Sequence, residues 1–296
     1  MKKTIFTGAG VAIVTPMNDD GTIDFDAFGR LIDFQIENGT DAIVVCGTTG
    51  EASTMSDDEH KETIRYCVER VNKRVPVIAG TGSNDTAYAI ELSKTAEALG
   101  ADAVLVVSPY YNKTSQNGLV AHFTAIADAI NIPVMLYNIP GRTGVNIAID
   151  TFVTLSKHPN IVAVKEAGGN INYFSKIIEA CGDDLDVYSG DDGMTVPVMS
   201  IGGKGVISVI SNIMPKETHD LCQYCLDNDF ATAGKLQIKY LDLMDSLFCD
   251  VNPIPVKEAL NLMGMCKNTM RLPLCPTTKA NVEKIADAMR PFGLIK

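Results

Sequence analysis

Short apolar runs rich in β-branched residues recur along the chain, separated by longer stretches in which apolar positions return every three or four residues. The runs cover residues 11–15, 42–46, 75–79, 103–107, 133–137, 161–165, 187–189 and 206–209. Their starts lie about 26–33 residues apart, with a shorter last step, which is the cadence of repeated βα units. Ile43-Val44-Val45 and Val104-Leu105-Val106-Val107 do not alternate with polar residues, as expected of strands buried on both faces of a parallel sheet. The intervening helical patterns include 57–71, 86–99, 119–130 and 171–181. Ser56 and Glu59 have capping-box spacing before the first, and Gly100 stands where the second should stop.

Eight such strands alternating with helices, without a linker, predict an α/β fold: one (β/α)8 TIM barrel. A doubly wound open sheet is the alternative, but the lone Gly80-x-Gly82 lacks the rest of a dinucleotide fingerprint. After about Asn212 the strand signal stops, and 217–227, 230–248, 255–263 and 278–289 read as helices. The last three exceed what closes a barrel. The expected organisation is a catalytic barrel over 1–225 and a C-terminal helical extension over 226–296 packed on it.

Composition narrows the partners. The 296 residues are 46% hydrophobic, ample for a core of this size. A net charge of −11 argues against nucleic acid, which requires clustered Lys and Arg. A small carboxylate can still bind if positive groups are concentrated at one site. The start Met1-Lys2-Lys3 resembles a signal peptide, but Gly8, Gly10 and Asn18-Asp19-Asp20 leave its apolar stretch too short. No run approaches the roughly 20 apolar residues of a membrane span. Eight scattered Cys do not form a disulfide framework, so a cytoplasmic location is expected. Cys222 and Cys225 make a CxxC with His219 nearby, yet they lie in a helical pattern without a second pair. They read as buried small side chains rather than a metal site.

The chemistry-bearing residues gather at the C-terminal ends of the predicted strands, where barrel active sites lie. Strand two runs into Gly47-Thr48-Thr49-Gly50-Glu51, strand four into Ser108-Pro109-Tyr110-Tyr111-Asn112, and strand five into Tyr137-Asn138-Ile139-Pro140-Gly141-Arg142-Thr143-Gly144. Strand six closes on Lys165-Glu166, and strand seven meets Gly190-Asp191-Asp192. A lysine at a strand end ordinarily snorkels into water. Pointing into a barrel it has no water to reach, and a desolvated amine has a lowered pKa that frees its lone pair for a carbonyl. Tyr137, Thr49 and Tyr111 offer hydroxyls on neighbouring loops that can carry a proton, although amphipathic packing would also account for the tyrosines. Thr48 and Thr49, in a Gly-bounded turn, can hold one carboxylate and Arg142 a second; a plain tight turn and a surface salt bridge are the ordinary readings.

These segments, Gly47-Thr48-Thr49-Gly50-Glu51, Pro109-Tyr110-Tyr111-Asn112, Tyr137 to Gly144 and Val164-Lys165-Glu166, closely resemble in order and spacing those of the dihydrodipicolinate synthase family of pyruvate-dependent class I aldolases. The resemblance spans essentially the whole chain. It implies condensation of pyruvate with L-aspartate 4-semialdehyde to 4-hydroxy-tetrahydrodipicolinate, the first committed step of the diaminopimelate route to lysine. It further implies that Lys165 forms the imine and that Tyr137 assists as acid and base. Thr49 would link Tyr137 to Tyr111, which in that family reaches in from a neighbouring subunit of a homotetramer built as a dimer of dimers. Arg142 would bind the semialdehyde carboxylate and Thr48 and Thr49 that of pyruvate, with the backbone at Gly190 and Ile207 lining the pocket. No metal or organic cofactor is implied, since the imine itself is the electron sink.

One departure from the family pattern stands out. Lysine-inhibited members bind the effector at positions matching Ala52, Ser53, Met55, Asp57, His60, Asn84, Tyr88 and Tyr110. Here Tyr88 stands where a glutamate would meet the lysine amine, and Asp57 replaces a histidine. Insensitivity to lysine is therefore expected. Three other readings compete: a sugar-acid or N-acetylneuraminate lyase sharing Lys165 and Tyr137, a phosphate-binding barrel suggested by Gly202-Gly203-Lys204-Gly205, and a barrel kept only as a scaffold.

Overall fold

A computed structural model describes residues 2–296. Eight parallel strands close a barrel in strict chain order: β1 (Gly8–Ala12), β2 (Ala42–Val45), β3 (Val77–Gly80), β4 (Ala103–Val107), β5 (Val134–Asn138), β6 (Ile161–Glu166), β7 (Asp186–Ser189) and β8 (Gly205–Ser208). The outer helices are α1 (Phe25–Glu37), α2 (Asp57–Val71), α3 (Thr86–Ala98), α4 (Gln116–Asp128), a short α5 (Pro140–Thr143), α6 (Ile149–Leu155), α7 (Ile171–Cys181), α8 (Thr195–Ser200) and α9 (Pro215–Leu226). Three more follow: α10 (Phe230–Ser246), α11 (Ile254–Leu262) and α12 (Lys279–Met289). The TIM barrel with C-terminal helices read from the sequence is the observed fold.

Alternation along the strands divides the core in two. Ala42, Val44, Ile78, Ala103, Leu105, Met135, Tyr137, Ala163, Tyr188 and Ile207 point inward and fill the barrel. Val45, Val104, Leu136, Val164 and Val206 point outward under the helices. Phe6 stacks on Tyr188 at 4.6 Å, and the Tyr188 hydroxyl donates to the Phe6 carbonyl. The barrel interior is thereby filled at its N-terminal end.

The first strand lies three residues before the expected 11–15. Gly8 and Gly10, read as interruptions, are ladder residues paired with Gly205 and Ile207 of β8. The apolar run continues past the strand because Ile13 still donates to the Val44 carbonyl and Thr15 Oγ1 to the Gly50 carbonyl, 2.8 Å away. Helix α2 begins with the expected box, Ser56 and Glu59 each bonding the other's backbone. Glu59 also pairs with Arg271 of the C-terminal segment, which holds its carboxyl down at about 2. Helix α10 packs on α8 and α9, and α12 packs on α10 and α11.

Cys222 and Cys225 are buried on α9, and burial pushes both thiols up. His219 is engaged instead with the Asp41 carboxylate at 2.9 Å. Among the described residues no group of three His, Cys, Asp or Glu is placed to hold a metal ion. Nor is any helix long and apolar enough to cross a membrane.

Candidate active site

Lys165 follows Ala163 at the two-residue spacing of one strand face, so its side chain enters the barrel rather than the helix layer. It is 7% exposed. Burial lowers its pKa to about 8; the buried Asp192 opposes that shift and Arg142 adds to it. Its Nζ lies 4.3 Å from the centroid of the Tyr137 ring, its register partner on β5. Gly190, just beyond β7, makes room for the lysine stem: a Cβ there would stand 3.0 Å from Lys165 Cε and 2.7 Å from Ala167 Cβ.

Tyr137 is buried, and loss of water pushes its phenol up to about 12, while Arg142 and the Thr48 side chain pull the other way. Tyr137, Thr48, Arg142 and Thr143 line one cleft of about 490 Å³ with the apolar Leu105, Val107 and Ile139. Arg142 sits on α5, a single helical turn directly after β5, which swings its guanidinium over the mouth. The loop is braced from behind. Asn138 Nδ2 donates to Glu166 Oε2 at 2.6 Å and to Asn146 at 2.8 Å, and Asn138 Oδ1 accepts from Ile147 N–H.

Thr49 is 3% exposed, and its Oγ1 accepts from Asn252 Nδ2 at 3.0 Å. The same Asn252 accepts Arg142 Nη2 on its backbone carbonyl at 3.1 Å. Five residues on, Lys257 of α11 meets Glu51, the residue that closes the Thr48-Thr49 turn, at 2.6 Å with both side chains fully buried. Ile207 faces the barrel interior from β8. Tyr111 does not enter the cleft of this chain; it is 92% exposed on a left-handed backbone at φ 66°. Asn252 and Lys257 were not singled out from sequence, while Asn138, Glu166 and Asp192 were named only as members of strand-end segments without a role of their own. Nothing in the sequence marks Asn252 and Lys257, because their partners lie about two hundred residues away.

The Gly202–Gly205 run lies before β8, at the end opposite the cleft. Its glycines serve close packing: a Cβ on Gly205 would fall 1.9 Å from the Gly8 carbonyl oxygen, and Lys204 N–H donates to the Val187 carbonyl. That removes the phosphate reading, because such a cradle belongs at the open mouth.

A model of the Dihydrodipicolinate synthetase family matches residues 5–291. The chain belongs to that family. A dihydrodipicolinate synthetase relative from Acetivibrio thermocellus, 4-hydroxy-tetrahydrodipicolinate synthase, is 56% identical over 295 residues and 100% of both chains. The chloride-inhibited dihydrodipicolinate synthase of Acinetobacter baumannii, solved with pyruvate, superposes with a TM-score of 0.97 at 46% identity, over 99% of this chain and 100% of that one. The enzyme of Cyanidioschyzon merolae, solved with lysine bound, superposes at 0.96 with 42% identity, over 99% and 100%.

Proposed function

We propose that this chain condenses pyruvate with L-aspartate 4-semialdehyde to 4-hydroxy-tetrahydrodipicolinate, as a lyase of the class I aldolase type. The observation that carries the reading is an inward-facing Lys165 of lowered pKa against Tyr137, with Arg142 in the adjoining cleft.

The neutral Lys165 amine adds to the pyruvate C2 carbonyl, and loss of water leaves an iminium. Removal of a C3 proton gives the enamine, whose C3 attacks the aldehyde carbon and forms the new C–C bond. The substrate's own amine then displaces Lys165 from the imine carbon, closing the ring and freeing the lysine, with one water lost overall. Tyr137, kept protonated by burial, gives its proton to the departing hydroxyl; the phenolate so formed takes the C3 proton and passes it to the aldehyde oxygen as the new bond forms. Thr48 and Thr49 hold the pyruvate carboxylate. Arg142 grips that of the semialdehyde. The backbone at Gly190 and Ile207 lines the pyruvate pocket. No cofactor enters this scheme, since the iminium withdraws the electrons.

Tyr111, projecting 92% exposed from this chain, serves the site of a second subunit and there extends the hydroxyl chain of Tyr137, so activity depends on self-association as a homotetramer. The threonine partner of Tyr137 in this chain is Thr48 rather than the expected Thr49. The chain works in the cytoplasm and is not inhibited by lysine.

Borohydride reduction in the presence of pyruvate tests the imine: a mass adduct is expected on Lys165 and none on the Lys165→Ala chain. Turnover with the semialdehyde but not with N-acetylmannosamine separates the synthase from the sugar-acid lyases. Preference for the sugar would overturn the substrate assignment while leaving Lys165 in place.

A further inference from the structure

Strands β2 and β5 are not neighbours in the barrel, because β3 and β4 stand between them. No ladder hydrogen bond therefore fixes the spacing between the turn after β2, with Thr48 in the cleft, and the turn after β5, with Arg142. One residue from the far end of the chain touches both. Asn252 Nδ2 donates to Thr49 Oγ1 at 3.0 Å, and the Asn252 carbonyl accepts from Arg142 Nη2 at 3.1 Å.

The two contacts differ in what they hold. Thr49 and Asn252 are both buried, so their bond is shielded from water. Arg142 is exposed, and among the described residues the bond to Asn252 is the only one its side chain makes. A guanidinium on an exposed stem has many rotamers open to it. Tied at one nitrogen, it is oriented and still has N–H groups free for a carboxylate.

The tether is itself braced. Residue 252 runs directly into α11, where Lys257 N–H donates to the Pro253 carbonyl. The Lys257 ammonium meets Glu51 Oε1 at 2.6 Å with both side chains fully buried, and also donates to the Thr269 carbonyl. On the other side the chain is exposed at Val251, so from that direction the Asn252 side chain is what holds the carbonyl in place.

We infer that Asn252 is a positioning residue for the second substrate: as a strut between the two turns, it fixes where the Arg142 guanidinium stands over the cleft. This rests on the proposed role of Arg142 as partner of the semialdehyde carboxylate. The C-terminal extension then takes part in substrate binding as well as in packing. Without the amide, the turn after β2 keeps the Glu51–Lys257 pair and the bond from Thr15 Oγ1 to the Gly50 carbonyl. Arg142 keeps only a carbonyl that is no longer held. Loss of the amide should fall on the semialdehyde and spare pyruvate.

The test is a double-mutant cycle between Asn252→Ala and Arg142→Met on the full-length protein, each variant compared with the parent in assembly and thermal unfolding. The readouts are kcat and KM for each substrate, and borohydride trapping of the pyruvate adduct, which needs no semialdehyde. Asn252→Ala is expected to raise the semialdehyde KM roughly 3- to 10-fold, the worth of one hydrogen bond. Pyruvate KM and trapped adduct should stay within about twofold of the parent. In the Arg142→Met background the same change should add less than about twofold to the semialdehyde KM, since the group it positions is gone. Should Asn252→Ala unfold well below the parent, Asn252→Ser is read in its place, as it leaves a hydroxyl in the buried slot that is too short to reach Thr49. An unchanged semialdehyde KM, an equal loss for pyruvate, or losses that multiply in the double variant would each overturn the inference. Failure of the proposed function looks different: a parent chain that traps pyruvate but turns over no semialdehyde, or an Arg142→Met chain with the parental semialdehyde KM, would strike the reading of Arg142 and this inference with it.

Discussion

Lys165 Nζ lies 4.3 Å from the centroid of the Tyr137 ring because the two residues are register partners on adjacent strands and both face into the barrel. Burial acts on them in opposite directions. It brings the lysine down to about 8 and pushes the phenol up to about 12, favouring the neutral form of each. A nucleophile near neutrality beside a phenol that keeps its proton is the pairing that imine chemistry requires.

The lysine shift has a pH signature in both rate and stability. Adduct formation with pyruvate, trapped by borohydride at a fixed short time, should rise with pH and level off above about 8. Between about 8 and the ordinary 10.5 the unfolded chain holds a proton that the folded one has released, so this residue's contribution to stability rises with pH across that window. Below 8 the cost of burying the charge is fully present. Lys165→Met should therefore unfold at higher temperature than the parent at pH 7, with the gap closing toward pH 10.5. A gap independent of pH would contradict the shift.

Arg142→Met should separate the two substrates. Charge-assisted hydrogen bonds are worth about 1.5–3 kcal/mol, so the semialdehyde KM should rise roughly 10- to 150-fold. Pyruvate adduct formation should stay within about twofold of the parent, because the guanidinium contributes to Lys165 only at a distance. Steady-state kinetics beside quantitative trapping reads both. Equal loss in the two assays would remove Arg142 from its assigned role.

The Glu51–Lys257 pair should behave as a buried ion pair whose halves are intolerable alone. Lys257→Met leaves a fully buried carboxylate, one of whose oxygens already lacks a partner, and should cost about 3–5 kcal/mol in denaturant unfolding. Adding Glu51→Gln should recover most of that loss. A double variant as unstable as Lys257→Met would mean that shape, rather than charge, holds the turn.

Lysine at about one millimolar should leave activity nearly unchanged, since loss of a charge partner at a partly buried site costs a few kcal/mol of binding. Tyr88 and Asp57, the two departures from the lysine-binding pattern, bond each other at 2.7 Å, and the phenol is raised to about 12 by burial and that carboxylate. Neither the lost glutamate nor the lost histidine is replaced by a group free to play its part. Activity assays with added lysine decide it; half-inhibition below a millimolar would refute the expectation.

The barrel was legible because parallel strands buried on both faces must be continuously apolar, and runs such as Ala103–Val107 carry that requirement in four or five residues. Helices α2 and α7 were legible to the residue, since caps are local chemistry. The start of β1 was not, because glycine in a ladder and glycine in a turn look alike until a partner strand is placed beside them.

The sequence by itself determined the strand order and the end of the barrel at which the candidate site residues stand, since strands and strand ends follow from local pattern. Only the tertiary structure decided what supports them. Asn252 meets Thr49 across 203 residues of chain, and Lys257 meets Glu51 across 206. Side-chain hydrogen bonds over such distances leave no periodic trace, because they depend on where folding brings two remote segments rather than on either segment's own preference.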